Sequence, residues 1–557
     1  MTTLSVLIVG GYGIFGGRIV GLLESEPRLT LIVAGRSRAR ATTFCAQLSN
    51  AEARLIPAVF DRNGDLAAQL ATLRPDVVVD ASGPFQNYGT GQYRVIEACI
   101  AGGVHYLDLA DGAAFVDGVQ AFDAAARAAN VYVLSGVSSF PVLTAAVTRR
   151  LSSDMSRIDA IRGGIAPSPF AGVGENVIRA IAGYAGQPCA LRRDGRAATG
   201  HPFTEQMRFT IAPPGKVPLR NTLFSLVDVP DLRVLAALWP EAKTIWMGAG
   251  PVPELLHRGL IALSWAVRWR LLPSLLPFAR VIHFVSNHVT WGEQRGGMFV
   301  EVAGADGAGT PVRRSWHLLA EGDDGPLIPS MAVEAIVRKA LDGHSPAPGA
   351  RAAVRDLELE DYERLFEDRT IHAGVRTDGE DGPPLYRRVL GTSWDALPPE
   401  VRAMHDGVTR AEGRARVERG AGLLSRLVAF LLGFPKAGND VPLSVRFAPS
   451  PEGEAWTRSF AGKAFSSDQF AGRGRSERLL CERFGPLTFA MALVTDGRRM
   501  RLVLRRWTVF GVPLPMWLCP RSNSYETAED GRFRFHVEIG HKLTGLIVRY
   551  QGWLEPR

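Results

Sequence analysis

The chain has 557 residues, 46% hydrophobic and 22% charged, a composition that excludes wholesale disorder, and its length calls for roughly two to four domains rather than one. A net charge of +8 and a pI of about 9.4 are carried almost wholly by arginine, the first lysine being Lys216; with no dense basic run or nucleic-acid module, the excess reads as a diffuse basic surface and no nucleic-acid partner is expected. Cys45, Cys99, Cys189, Cys481 and Cys519 form no metal-like spacing, so neither a metal site nor a disulfide framework is expected, and reduced thiols fit a cytoplasmic protein.

Ser5-Val6-Leu7-Ile8-Val9 reads as a first strand rather than a leader, since no basic segment or cleavage site accompanies it. It runs into G-x-G-x-x-G at Gly11, Gly13 and Gly16. A helical pattern through Ile19, Val20, Leu22 and Leu23 follows, then a second strand from Leu29 to Val33. This context marks the turn Gly11-Tyr12-Gly13-Ile14-Phe15-Gly16 as a dinucleotide site. Gly11 permits the tight turn, Gly13 lets backbone approach a pyrophosphate at the helix N-terminus, and Gly16 allows close helix packing.

The end of the second strand selects the cofactor. An acid there would bind a ribose 2′-hydroxyl, but the chain reads Gly35-Arg36-Ser37-Arg38. Two guanidiniums and a hydroxyl suit a 2′-phosphate, which favours NADP over NAD; the other reading is a solvated basic surface.

Further strands are expected at Arg54 to Phe60, Asp76 to Ala81 and Val131 to Ser135, separated by helical patterns. Alternating units with continuous apolar strands predict a Rossmann-type doubly wound parallel sheet over residues 1–148. An α+β substrate or dimerisation domain is expected over 149–345. Within it, 255–285 is apolar but broken by His257, Arg258, Arg268, Arg270 and Arg280. Amphipathic helices packed on the protein or on a twin subunit fit that stretch, leaving peripheral membrane contact and a homodimer open. Residues 346–385, including Gly379 to Pro384, read as a linker with one acidic helix. Over 386–557, helical patterns precede strand-like runs, which predicts a mainly antiparallel sheet packed on helices.

Ala81-Ser82-Gly83-Pro84-Phe85, Tyr88-Gly89, Ala98-Cys99-Ile100 and Gly103-Val104-His105-Tyr106-Leu107-Asp108 accompany the glycine turn and Ala34-Gly35-Arg36. Together they resemble the saccharopine dehydrogenase-like NADP-binding family, more weakly through Gly296-Gly297-Met298 and Pro326 to Ser330 to about residue 345. The resemblance implies that Gly83-Pro84-Phe85, with Ser82, lies beside the nicotinamide half of the cofactor. It also implies an adenine contact at Asp61, whose other reading is a helix N-cap. Asp108 would orient Tyr106 or His105 near the cleft, or serve as an ordinary cap.

The segment Gly136-Val137-Ser138-Ser139-Phe140-Pro141 departs from family members that act on amino-acid conjugates, and no basic cluster is evident to hold several carboxylates. Saccharopine is therefore not the expected substrate. The last part is similar to an uncharacterised bacterial domain that follows such dehydrogenase-like domains, through Leu385 to Gly391, Leu397 to His405, Glu482 to Pro486, Gly511 to Pro515 and Tyr550 to Leu554. That domain brings no known activity. His405, Glu482 and Arg483 fit structural roles better than functional ones, and a sheet curved over an apolar helix would enclose a pocket for a hydrophobic ligand.

Tyr-x-x-x-Lys is absent, which excludes short-chain dehydrogenase chemistry, and no ligand set supports a zinc alcohol dehydrogenase. Tyr88, Tyr106, Asp108 and Ser139 are the substrate-side candidates, with His105 and His317 as further proton donors. The expected activity is NADP-dependent hydride transfer to a C=N or C=O group of a small-molecule substrate. The alternative is an NADP-binding protein without turnover whose C-terminal domain binds a lipid or a protein partner.

Overall fold

The computed structural model describes residues 3–378 and 384–557, so Gly379 to Pro383 of the expected linker lie outside the described residues. The chain divides into two compact units, Met1–Arg208 with Thr222–His372 and Phe209–Asn221 with Ala373–Arg557.

The first unit begins with β1 (Leu4–Val9), α1 (Ile14–Leu23), β2 (Leu29–Gly35), α2 (Arg38–Gln47), β3 (Arg54–Val59) and α3 (Leu66–Leu73). It continues with β4 (Val77–Asp80), α4 (Arg94–Ala101), β5 (His105–Asp108), α5 (Ala113–Gly118), α6 (Asp123–Ala128) and β6 (Tyr132–Ser135). Val6, Leu7, Ile8, Leu31, Val33, Val77, Val78 and Val79 are almost wholly buried, because parallel strands carry helices on both faces. The order β6-β5-β4-β1-β2-β3 places the reversal between β1 and β4. Open sheets of this kind bind ligands outside the carboxyl ends of the strands at such a reversal.

The stretch 346–385 is more than the linker that its composition suggests. Gly349–Ala352 pairs in parallel with β6 and extends the Rossmann-type sheet to seven strands. The helix Leu359–Phe366 is the expected acidic one, and the strand Ile371–Asp378 follows it. Gly and Pro mark the turns here, while short strands with little alternation leave almost no periodic signal.

The rest of the unit is α+β, around a mixed sheet whose central strands are Thr244–Ala249, Met155–Ala166, Arg295–Asp306 and Pro311–Glu321. The apolar stretch near 255–285 forms the helices Glu254–Arg268 and Ala279–His288. Val267, Leu275 and Ala279 pack with Ile178 of the helix Glu175–Tyr184, while Leu255, Trp269, Val281 and Phe284 are exposed. Among the described residues no helix is long and apolar enough to cross a membrane.

In the second unit, ten antiparallel strands close a barrel. In ring order they are Leu487–Thr495, Leu480–Phe484, Lys463–Ala471, Gly453–Phe460, Gly438–Pro449, Arg410–Arg419, Gly545–Pro556, Arg532–His541, Arg521–Glu529 and Arg499–Val509. The last pairs back onto the first, Leu487 opposite Val509, which closes the ring. The helices Leu385–Leu390 and Pro399–Met404 plug one end with Tyr386, Val389, Leu390, Val401 and Met404. Strand alternation turns Trp456, Phe460, Leu443 and Val445 inward, around an interior cavity of about 230 Å³. His405 and Glu482 are buried inside this unit: His405 Nε2 lies 2.6 Å from Glu526 Oε2, and Glu482 pairs with Arg458 at 2.9 Å. Arg483 bridges Asp468 and Glu452.

Candidate functional site

The glycine turn is built against its own backbone. Gly10 and Gly11 donate to the Ala34 carbonyl at 2.9 and 3.0 Å, which ties the turn to β2, and Gly13 N–H donates to Gly10 O at 2.8 Å. Gly10 has φ +78°, a left-handed conformation that favours glycine. A Cβ at Gly11 would meet Ile8 O at 2.9 Å, and one at Gly16 would collide with the Gly10 carbonyl. The third glycine thus lets the first turn of α1 come close against the backbone that leaves β1. Gly13 is the N-cap of α1 and no side chain caps that end, so the first-turn N–H groups of Ile14, Phe15 and Gly16 remain available to an anion. Ile14 is exposed and Phe15 half-buried at the same end.

Tyr12 reaches to the end of β2. Its hydroxyl accepts from Ser37 N–H at 3.0 Å, its ring fills the space beside Gly35, and the Arg40 guanidinium sits 4.8 Å from the ring centroid. Ser37 is the N-cap of α2, its hydroxyl accepting from Arg40 N–H at 3.3 Å. Arg36, Arg38 and Arg40 are exposed. Arg36 and Arg38 make no ion pair among the described residues. Arg40 is a third cation at this edge, legible in sequence only as one more arginine in the run.

Asp61 is not a helix N-cap. Its side chain accepts from Asn63 N–H at 3.0 Å and its backbone is clamped by Gln69, while Asp65 caps α3 by accepting from Ala68 N–H. Three residues separate Asp61 from that cap, and the sequence alone does not say which of the two acids meets the helix.

At the carboxyl end of β4, Asp80 is buried and its Oδ1 accepts from both Ser82 N–H (3.0 Å) and Ser82 Oγ–H (2.6 Å). Ser82 Oγ also lies 2.9 Å from Tyr88 Oη. Burial raises the proton affinity of Asp80; burial and then the charge of Asp80 raise that of Tyr88. Arg62 covers the Tyr88 ring at 3.1 Å. Phe85 is buried against Tyr88 and Phe115, which holds the Gly83-Pro84-Phe85 segment in place. Asn176 Nδ2 donates to Gly83 O at 3.0 Å, and Gly174 comes against Ile14. The segment leading into the helix Glu175–Tyr184 therefore lies along the glycine turn and the β4 edge, a contact between residues far apart in sequence that no motif announces.

Asp108 ends β5 fully buried. Its Oδ1 accepts from Ala110 N–H, Ser135 Oγ–H and Gly136 N–H, each at 2.9 Å, while Oδ2 has no protein partner. It orients neither Tyr106 nor His105. Tyr106 is buried in the core. His105 lies at the amino end of β5, stacks on Tyr132 and accepts from Tyr132 N–H at 3.2 Å. Alternation along a short strand sends these side chains to different places. Ser139 is buried, its carbonyl accepting from Thr144 Oγ1 at 3.4 Å, and His317 is buried in the mixed sheet beside Ser315.

Burial, opposed by the three hydrogen bonds, pushes the Asp108 carboxyl up to about 7. The folded protein then keeps a proton that the unfolded chain releases above about pH 4. Folding stability is penalised increasingly as pH rises from there to about 7, and by a constant amount above. Asp108→Asn removes that dependence while keeping an acceptor at Oδ1. The amide it introduces is unpartnered at every pH and adds a constant. The melting temperature of the variant minus that of the parent should therefore rise between pH 4 and pH 8, by the equivalent of a few kcal/mol at most. A difference independent of pH would contradict the buried, protonated Asp108.

Residues 6–134 match the model described as the saccharopine dehydrogenase NADP binding domain, and residues 397–554 match a domain of unknown function, DUF4166. Among solved structures, apo saccharopine dehydrogenase (L-Glu forming) from Saccharomyces cerevisiae is 15% identical with a TM-score of 0.49, over 68% of this chain and 100% of that one. A dehydrogenase from Chromobacterium violaceum is 12% identical with a TM-score of 0.31, over 66% of this chain and 94% of that one. A probable dehydrogenase from Thermotoga maritima is 11% identical with a TM-score of 0.31, over 65% and 93%. No curated protein matches the chain. The chain is thus similar to the saccharopine dehydrogenase NADP binding domain over residues 6–134 and to DUF4166 over residues 397–554.

Proposed function

We propose that this protein is an NADPH-dependent oxidoreductase that reduces a C=N or C=O group of a small metabolite. The observation that carries the reading is the uncapped N-terminus of α1 inside an all-backbone glycine cradle, next to a β2 end that holds Arg36, Arg38 and Arg40 and no acid. The residues present fit the cofactor: a Cβ would fill the cradle, and its leading N–H groups suit a pyrophosphate. Arg36 and Arg38 would hold the 2′-phosphate, with Ser37 N–H already engaged by Tyr12. Asp61 would stand by the adenine, and Ser82, Gly83, Pro84 and Phe85 would line the nicotinamide side.

NADPH when bound supplies the hydride. The protein supplies orientation and a proton. Tyr88 keeps its phenolic proton at neutral pH, because burial disfavours the phenolate. Its O–H would give that proton to the substrate oxygen or nitrogen and be reprotonated from solvent, while Ser82, itself held by Asp80, keeps the hydroxyl in place.

The test is oxidation of NADPH by the full chain across a panel of aldehydes, ketones and imines. Turnover with at least one carbonyl or imine class is expected; NADPH that binds but is oxidised by none contradicts the reading. Replacing Arg36 and Arg38 by alanine removes charge-assisted bonds that contribute about 1.5–3 kcal/mol each. Calorimetric titration should show NADPH affinity falling about tenfold or more, with NADH affinity unchanged.

A further inference from the structure

The barrel of the second unit has two unlike ends. One is plugged by the helices Leu385–Leu390 and Pro399–Met404. At the other, the strand register gathers the helix Leu423–Leu431, the loop after Arg499–Val509 and the turn between Arg532–His541 and Gly545–Pro556. The helix lies across this mouth. Ser425 Oγ–H donates to Leu546 O at 2.6 Å, Ala429 is buried, and Val428 and Leu432 line the cavity. Its outer face is bare: Leu423, Leu427 and Phe430 are more than half exposed, as are Phe510, Trp517 and Leu543 on the neighbouring loops.

Charge follows the same geometry. Residues 419–439, 505–525 and 539–554 contain no acid. Exposed Lys436, Lys463 and Lys542, three of the six lysines in the sequence, stand at this end with exposed Arg426. Apolar side chains flanked by cations are the pattern that enters an anionic membrane interface. A second copy of the same basic rim would repel it, which disfavours self-association through this face.

The cavity behind the mouth has an apolar wall that includes Leu443, Phe447, Phe460, Leu504 and Phe535; its polar lining includes Ser522, Ser524, Glu526, His536 and a connected cluster around Arg458. There Arg458 donates from Nη1 to Ser467 Oγ at 2.8 Å and from Nη2 to Glu482 Oε1 at 2.9 Å. Tyr386 O–H donates to Gln469 Oε1 at 2.9 Å, and Gln469 Nε2 donates to Glu482 Oε1 at 3.2 Å. A guanidinium has five N–H donors, so Arg458 keeps donors for an acceptor inside the cavity that it lines. The volume of about 230 Å³ exceeds the ~150 Å³ that holds a benzene and falls below the ~300–1,000 Å³ of drug-sized pockets. It suits one slim chain rather than a whole bilayer lipid.

We propose that the barrel docks by this mouth on an anionic membrane surface and takes up one long-chain carboxylate, its tail along the apolar wall and its head at Arg458. The helix Leu423–Leu431 is the cap that the chain passes.

Two measurements on the full chain test this, and neither involves the nucleotide, so their failure and that of the oxidoreductase reading are separable. The first is flotation with phosphatidylcholine vesicles with and without phosphatidylglycerol. Flotation should grow with the phosphatidylglycerol fraction, weaken in high salt and be lost in Leu427→Glu with Phe430→Glu, whose outward side chains leave folding intact. The second is titration with a fluorescent long-chain carboxylate. Arg458→Lys keeps the charge beside Glu482 but loses the fork of donors, so binding should weaken about tenfold while flotation is unchanged. The proposal is overturned by flotation indifferent to phosphatidylglycerol, by a rim variant that floats like the parent, by carboxylate binding insensitive to Arg458→Lys, or by burial of the rim in a dimer.

Discussion

Gly16→Val abolishes nucleotide binding, raising the dissociation constant for NADPH by about 100-fold or more. The reason is local and steric. The first side-chain carbon at this position falls inside the Gly10 carbonyl and 2.8 Å from Gly11 Cα, and both obstacles are backbone. Gly10 and Gly11 are themselves held to Ala34 by two hydrogen bonds, so the turn relieves the overlap only by leaving β2. Overpacking of this kind costs about 1–3 kcal/mol in stability, which a chain this size tolerates, while the cradle loses its shape. Gly21 is the control. It lies in the same helix, where a Cβ would have nothing within 4 Å, and Gly21→Ala should leave NADPH affinity unchanged and add about 0.5–1 kcal/mol of stability. Titration of both variants, with circular dichroism to confirm folding, checks the pair; Gly16→Val that binds NADPH like the parent would remove the cradle from the account.

Tyr88→Phe lowers kcat by about 10²–10⁴-fold, the range for a positioned proton donor, and leaves NADPH affinity unchanged. The phenol makes its hydrogen bond to Ser82 and none to the glycine turn or to the end of β2. Loss of the hydroxyl therefore removes a proton and spares the nucleotide contacts. The ring itself, packed on Phe85 and under Arg62, is kept by phenylalanine. A merely structural tyrosine would shift the melting temperature and KM instead. Equal kcat in parent and variant would pass the proton to another group.

The Rossmann-type half is legible in the sequence because its signals are local. Continuous apolar strands, glycines at fixed spacing and an arginine run in place of an acid lie within forty residues, and each has one structural cause. The substrate side is less legible because it is assembled from distance. Asn176 meets Gly83 across 93 residues, and Tyr88, Ser82 and Asp80 form a line only once the short helical turn after Pro84 folds back. Asp108 stands out in the sequence for its position after a strand. Two of its three partners are Ser135 and Gly136 of the neighbouring β6 edge, which a strand-end aspartate does not reveal. In the C-terminal unit, alternation locates the strands and suggests an apolar pocket. Closure depends on one pairing, Leu487–Thr495 with Arg499–Val509, in a hairpin that would look the same in an open sheet. The strand Gly349–Ala352 is hidden for a different reason: Gly-Ala-Arg-Ala has almost no β propensity, and its place at the edge of the sheet is secured by tertiary contacts.

The central claim is that the α1 cradle and the arginine-bearing end of β2 form one site for a 2′-phosphorylated dinucleotide. Calorimetric titration of the full chain with NADPH and NADH under identical salt tests it most directly. The expected result is a single site per chain that binds NADPH at least about tenfold more tightly than NADH, as the loss of charge-assisted phosphate bonds requires. Equal affinity for the two, or binding of neither, would contradict it.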